Sequence, residues 1–292
     1  MKVYLDCFPC FVRQTLEAAR MSTGDEALQR RILDEVMKRL ITLPLEVTPP
    51  QVGRIIHRLI KELTGNGDPY RKVKRQYNEI ALKMLPDLRE RVRAAEDPIL
   101  TALQLAIAGN IIDFGALSGN FDLAQIVEET LRSEFAPDGY ERFRSALDRA
   151  GRIVYLGDNT GEIVFDRILI ETLLRHKPFE IVFVVREMPI INDATMEDAR
   201  FVGLDRLVRV ISNGSDAPAT VLSECSPEMV GIYDAADMVL AKGQGNYESL
   251  SEERGPLFFL LKAKCPVVAR DLGCEVGDIV LRSGKFSQEI EP

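Results

Sequence analysis

The sequence has no tryptophan, only two histidines (His57 and His176) and no apolar run long enough to cross a bilayer. Each shortage excludes something. Two histidines cannot build a site of several imidazoles, and a facial triad of two histidines and a carboxylate is excluded too. Both sit in helical stretches among charges, where surface placement is expected. Any catalytic metal must therefore take mostly oxygen ligands. Cysteine is also scarce: Cys7, Cys10, Cys225, Cys265 and Cys274 make an odd count that does not read as a disulfide framework. Positive charge is in deficit, with 37 Lys and Arg against 45 Asp and Glu and a formal net charge of −8. That balance argues against a general nucleic-acid or membrane-surface binder. No signal peptide precedes Asp6, so the chain reads as cytoplasmic. The sequence carries no signal for an oligomeric state.

What is present is an ordinary globular composition, 46% hydrophobic and 28% charged over 292 residues, enough for one large or two ordinary domains. Residues 1–150 read as a helical domain. Apolar residues recur at helical spacing in Phe11–Ala19, Leu28–Ile41, Val52–Leu63, Val73–Leu85, Ile99–Ile112 and Leu123–Leu131. Residues 151–292 have another texture. Short β-rich runs (Ile153–Leu156, Ile181–Val185, Leu207–Ile211, Met238–Leu240, Leu257–Leu261 and Val267–Ala269) alternate with helical stretches at Glu162–Arg175, Met196–Val202, Ala217–Ser223, Pro227–Ala235 and Tyr247–Ser251. This alternation predicts a wound α/β domain with a largely parallel sheet, the closely spaced last two runs allowing an antiparallel strand.

The first four strand candidates each run into a polar loop. They are Gly157-Asp158-Asn159-Thr160-Gly161-Glu162, then Asn192-Asp193-Ala194-Thr195, then Ser212-Asn213-Gly214-Ser215-Asp216, and Lys242-Gly243-Gln244-Gly245-Asn246-Tyr247-Glu248. In a parallel sheet all four lie at the carboxyl edge, where such folds bind ligands. Asp158, Asn159 and Asp193 offer three oxygens, a partial shell for Mg²⁺ or Mn²⁺ that leaves positions for water and substrate; affinity order alone favours later metals such as Co²⁺ or Ni²⁺. Lys242 is a point charge suited to a phosphate. Gly243 and Gly245 let backbone N–H groups approach an anion, and the helix start at Gly161 offers another such place. Asn213 and Gly214 suit a second anion loop, and Glu162 either orients water or caps its own helix. Each motif alone is equally an ordinary turn or helix cap, since Asp, Asn and Thr favour such places. Their alignment on one edge favours a site.

Two further signals come from the first half. Asn110 and Asp113 lie three apart on one helix face, where they either reach the crevice or belong to a helix end around Gly115. Cys7-Phe8-Pro9-Cys10 is a CxxC without a second one, readable as buried thiols, as an accessory metal site completed by Cys265 or Cys274, or as a redox pair.

Together, the Asp158 hexapeptide, Asn192-Asp193 and the segment from Lys242 to Glu248 resemble the metal-dependent damage-control phosphatases, long called domain of unknown function 89. Ala108 to Gly115, the CxxC, and Lys264-Cys265-Pro266-Val267-Val268-Ala269-Arg270 look like the stand-alone prokaryotic subgroup. The resemblance implies a helical N-terminal domain on a three-layer, Rossmann-like α/β domain. It also implies a divalent metal held by Asp158, Asn159 and Asp193, with Lys242 and Asn246 of the glycine-rich segment near the substrate phosphate. The substrate expected on that basis is a small phosphorylated metabolite. A carboxyl methyltransferase activity attributed to a eukaryotic branch, and a non-catalytic metabolite-binding regulator, stand as alternatives. The acidic corner after the first strand suits a metal better than a methyl donor.

Overall fold

A computed structural model describes residues 1–109, 123–132, 135 and 139–285. The helices α1 (Cys7–Ser22), α2 (Glu26–Ile41), α3 (Pro49–Thr64), α4 (Arg71–Ala94), α5 (Pro98–Gly109), α6 (Leu123–Arg132) and α7 (Gly139–Arg149) come first. The alternating part follows as β1 (Arg152–Leu156), α8 (Glu162–His176), β2 (Glu180–Val185), α9 (Met196–Phe201), β3 (Arg209–Ser212), α10 (Pro227–Asp234), β4 (Met238–Lys242), α11 (Gly243–Leu250), β5 (Leu257–Lys262), α12 (Pro266–Leu272) and β6 (Ile279–Ser283). No described helix is long and apolar enough to cross a membrane.

The helix starts follow local chemistry. Asp25 caps α2 by accepting from the N–H groups of Ala27 and Leu28. Thr48 and Gln51 form a capping box on α3, with Pro49 and Pro50 at the positions that need no N–H. On α3 the buried Val52, Ile56, Leu59 and Ile60 recur at helical spacing and pack with Phe11, Ile32 and Val36, so α1 to α3 share a core of their own.

The sheet runs β3-β2-β1-β4-β5-β6. Its first five strands are parallel, and β6 is antiparallel to β5, pairing Leu260 with Leu281. Alternation sends Ile153 and Tyr155 of β1 to one face, against Tyr77 of α4, almost the whole of α5, Phe143 of α7 and Ile163 to Leu173 of α8. Val154 and Leu156 point to the other face, against Met229 of α10, Leu250 of α11 and Val268 of α12. The result is a three-layer α/β fold, in which each fully buried Leu, Ile or Phe contributes about 1.5–3 kcal/mol. Strand order reverses between β1 and β4. Outside their carboxyl ends lies the crevice where doubly wound sheets hold ligands.

Four expectations fail locally. Val267–Ala269 is not a strand but the body of α12. Cys265 Sγ accepts from the Val268 N–H, Pro266 occupies the first turn and Gly273 closes the helix at φ 70°, so caps override the two β-favouring valines. The sixth strand lies further on, at β6. Ala217–Ser223 is not a helix either, and only a 3₁₀ turn, Leu222–Glu224, is regular there. Its backbone donors go elsewhere, Ala219 N–H to Asp193 and Thr220 N–H to Asn246. His57 is buried on the inner side of α3, where burial first and Lys61 second push its pKa down to about 4. The third strand begins at Arg209, two residues later than its apolar run.

Candidate functional site

The first corner is built on a glycine. A Cβ on Gly157 would meet the Phe183 ring at 2.6 Å, so only glycine lets the chain leave β1 there. Asp158 follows and is buried, while Asn159 is half-buried. The Asn159 amide donates to Asp158 Oδ2 at 3.0 Å and to Glu162 Oε2 at 3.4 Å. Gly161 turns the chain into α8 at φ 79°, and its N–H donates to Asn78 Oδ1 of α4 at 2.7 Å. The backbone donor that the sequence assigns to a phosphate is thus held by the helical layer.

The second loop closes against the first. Ala194 N–H donates to Asp158 O at 2.8 Å, Thr160 N–H to Asn192 O at 2.9 Å, and the backbones of Asn159 and Asp193 form an isolated bridge. Asp193 Oδ2 accepts from Arg186 Nε at 2.8 Å and from Ala219 N–H at 3.1 Å. Arg186, at 1% exposure, also donates to Gly157 O and Thr220 Oγ1, so one guanidinium ties three loops. Ile191 at φ 46° and Ala219 at φ 61° are the non-glycine residues with positive φ among those described. One lies two residues before Asp193 and the other donates to its carboxylate. Backbone held in such a sparsely populated region concentrates at functional sites.

The electrostatics separate the acidic residues. Burial pushes the Asp158 carboxyl well above the usual range, and the negative charges of Glu162 and Asp193 push it the same way. Lys242 is fully buried and donates to Glu162 Oε1 at 2.5 Å, Asp166 Oδ1 at 2.7 Å and the Ala106 carbonyl at 2.8 Å. Burial alone would lower it, but Asp166 and Glu162 hold it above the ordinary lysine value. Asp166 itself is raised by burial, against the pull of Lys242, to about 7. Tyr155 donates to Asp166 Oδ1 at 2.7 Å. Instead of pointing at open crevice, Lys242 neutralises a buried acidic pair behind the corner.

The glycine-rich segment meets the same corner. Gly243 sits at φ 79°, and a Cβ there would fall 1.8 Å from Asp158 Oδ2. Gly245 faces Ala219, whose Cβ would be 3.0 Å away. Asn246 is buried; it accepts from Thr220 N–H at 2.8 Å and donates to Lys242 O at 2.7 Å and Gly157 O at 3.3 Å, locking the segment to the end of β1. Asn213 and Gly214 make a different arrangement. Asn213 Oδ1 accepts from the N–H groups of Ser215 and Glu187, spending the loop's donors internally, and Gly214 packs on Ser226. Asn110 and Asp113 lie outside the described residues. Cys7 and Cys10 are free thiols at the start of α1, Cys7 raised by burial and Cys10 accepting from the Gln14 amide at 3.4 Å. Away from all this, around β6, a cavity of about 900 Å³ is lined by Met1, Arg142, Tyr247, Asp271 and Arg282, so volume alone does not locate the crevice.

Sequence reasoning passed over Arg186, Asp166 and Asn78. Arg186 follows an apolar strand directly, as Asp158 follows β1 after a glycine, and that position was its signal. Asp166 and Asn78 had another, a polar residue on an otherwise apolar helix face: Asp166 among Ile163, Phe165 and Leu169, and Asn78 beside Tyr77, Ala81 and Leu85.

Comparison with known proteins adds the family. The model of the damage-control phosphatase ARMT1-like domain matches residues 3–280. The chain belongs to this family. It is 38% identical over 290 residues to an uncharacterised protein of Methanocaldococcus jannaschii, covering 96% of this chain and 95% of that one. A damage-control phosphatase of Archaeoglobus fulgidus is 36% identical over 294 residues, covering 97% and 99%. A damage-control phosphatase of Pyrococcus horikoshii is also 36% identical, over 288 residues, covering 98% and 99%. Its crystal structure, described as a duf89 family protein, superposes with a TM-score of 0.89 over 98% of this chain and all of that one.

Among the described residues no three His, Cys, Asp or Glu side chains form a ready-made metal cluster. The chemistry of the corner still fits a hard cation. Its donor set is oxygen-rich, the buried Asp158 carboxyl is crowded by two like charges, and a nearby cation offsets that repulsion.

Proposed function

We propose that the chain is a metal-dependent phosphomonoesterase acting on small phosphorylated metabolites. The observation that carries this reading is Asp158: a buried carboxyl raised by burial and by Glu162 and Asp193, against a glycine with no room for a Cβ, in a chain of a damage-control phosphatase family. On this reading Asp158, Asn159 and Asp193 hold the divalent ion, Mg²⁺ or Mn²⁺ by ligand type and Co²⁺ or Ni²⁺ as alternatives. Bound there, the ion supplies Lewis-acid polarisation of the phosphoryl oxygens.

The remaining work falls to side chains. Arg186 orients Asp193 by holding one oxygen and leaving the other to the crevice. Lys242 donates to both Glu162 and Asp166 behind the corner, and Glu162 holds Asn159 through both its backbone and amide nitrogens. The phosphate sits over the half-buried Asn159, the most open side chain of the corner, with Gly243 and Gly245 giving it close approach to backbone. Asn246 fixes that segment, and Gly161 and Glu162 set where α8 begins.

Family membership favours neither the regulator nor the methyltransferase alternative. The test is phosphate release from an aryl phosphate and a metabolite panel, with Mg²⁺, Mn²⁺, Co²⁺ and Ni²⁺ supplied in turn. Metal-stimulated release that vanishes in Asp158→Ala and Asp193→Ala is expected, a loss of roughly 10³-fold or more. Full activity in folded variants removes the site assignment. No release with any metal removes the phosphatase reading.

A further inference from the structure

We propose that Asn78 is a positioning residue that sets the spacing between the two ligand-bearing loops by holding both from one point on α4. The proposal rests on the reading of Asp158, Asn159 and Asp193 as the cation's ligands.

Asn78 is fully buried on the inner face of α4, one turn after Lys74. Its two polar atoms serve different loops. Oδ1 accepts from the Gly161 N–H at 2.7 Å, two residues beyond Asn159. Nδ2 donates to Asp198 Oδ1 at 3.1 Å. Asp198 caps α9 by accepting on Oδ2 from Thr195 N–H at 2.9 Å and Thr195 Oγ at 2.8 Å, two residues beyond Asp193. One amide therefore begins both branches of a hydrogen-bonded path from the Asp158-Asn159 corner to the Asp193 loop.

Two neighbours stiffen this path. Lys74 Nζ lies 3.2 Å from Asp198 Oδ2 and 3.5 Å from Asp68, so the capping carboxylate is neutralised where it is buried. Tyr77 closes over the corner from above. A Cβ on Gly161 would lie 3.1 Å from Tyr77 Cβ and 3.3 Å from its carbonyl, leaving the loop no room to rise towards α4. Any buried amide needs partners. This one takes them from two loops that must arrive at a fixed separation for a single ion to touch both. Groups that orient metal ligands commonly change metal affinity or activity by about 10- to 100-fold when removed.

The experiment uses the full chain and Mn²⁺ alone as the probe. Its dissociation constant is read by electron paramagnetic resonance, beside the melting temperature of metal-free protein and kcat and KM for an aryl phosphate. Asn78→Ala is expected to weaken Mn²⁺ binding by roughly tenfold or more and to lower kcat more than it raises KM. Asn78→Asp keeps the acceptor for Gly161 but sets a carboxylate against Asp198, and weakens binding too. Combining it with Asp198→Asn exchanges donor for acceptor and returns affinity to within about threefold of wild type, a coupling between contacting residues that independent sites do not show. Unchanged Mn²⁺ affinity in the single variants, or a double variant no better than Asn78→Asp, overturns the proposal while leaving the metal site standing. Should Asn78→Ala not fold, Asn78→Asp and the double variant decide the matter. A wild-type protein that binds no Mn²⁺ overturns the metal reading itself, and the proposal with it.

Discussion

Asp158 and Asp193 lie at the same sheet edge, both buried, their loops stitched together by backbone hydrogen bonds, yet they are held in opposite ways. Asp193 faces the buried guanidinium of Arg186 and the N–H of Ala219. Asp158 accepts from the Asn159 amide and is pushed upward by burial and by Glu162 and Asp193. One carboxylate is settled in the protein as it stands, and the other is crowded. Evolution for stability alone would treat them alike. On the proposed metal reading, one ligand is fixed in place and the other carries a charge that is unfavourable until a cation offsets it.

The largest effect expected on this contrast comes from Arg186. Arg186→Met leaves the Asp193 carboxylate buried without its counter-charge and removes one donor each from Gly157 O and Thr220 Oγ1. Breaking a buried pair from one side costs about 3–5 kcal/mol, to be read from the urea midpoint of the metal-free protein. Loss of less than about 1 kcal/mol would mean that Asp193 is settled by backbone alone, and the contrast would collapse.

Asp158→Asn runs the other way. It removes a charge that burial and two neighbours disfavour while keeping the shape of the side chain. The metal-free variant is expected to be more stable than wild type by about 1–2 kcal/mol, roughly 2–8 °C in melting temperature for a chain of this size class, while metal-stimulated hydrolysis is lost. A variant both inactive and less stable would place Asp158 with Asp193 as a structural carboxylate.

Much of the contrast was invisible in the sequence, for a physical reason. The corners themselves were legible, because polar loops that follow β-rich runs lie at strand ends: Asp158 and Lys242 stand at the ends of β1 and β4, and Asp193 in the loop after β2. Which partner each charge takes was not. Arg186 reaches Gly157, Asp193 and Thr220 through the register of β1 and β2 and the path of an irregular loop, none of which has a periodicity. Lys242 reads as a free cation after an apolar strand, yet Glu162 and Asp166, one turn apart on α8, turn it inward. The misassigned Val267–Ala269 teaches the same lesson at smaller scale: two β-favouring valines lost to a capping thiol, a proline and a closing glycine, all present in the sequence. Asn78 was legible in principle, as an amide on the apolar stripe of Tyr77, Ala81 and Leu85, but only the fold shows that its two partners belong to two loops.

Glu248 provides the control for reading burial as function. It lies on α11 near Cys7 and the N-terminus, away from the corner, and burial raises its carboxyl to about 7, with the Gln244 amide pulling the other way. Its folded value lies above the ordinary 4.5, so the folded state holds a proton that the unfolded chain releases. That contribution is complete below about pH 4.5 and is lost as pH rises through about 7. Metal-free protein should therefore lose melting temperature between pH 5 and pH 8, and Glu248→Gln should flatten that fall by on the order of 1 kcal/mol, the residue's partial contact with water reducing the effect. Phosphatase activity should be unchanged. The same slope persisting in Glu248→Gln but disappearing in Asp158→Asn would show that the pH response belongs to the crowded corner alone; a shared slope would show that burial by itself raises a carboxyl here, and that the mark of the site is the pair of like charges around Asp158.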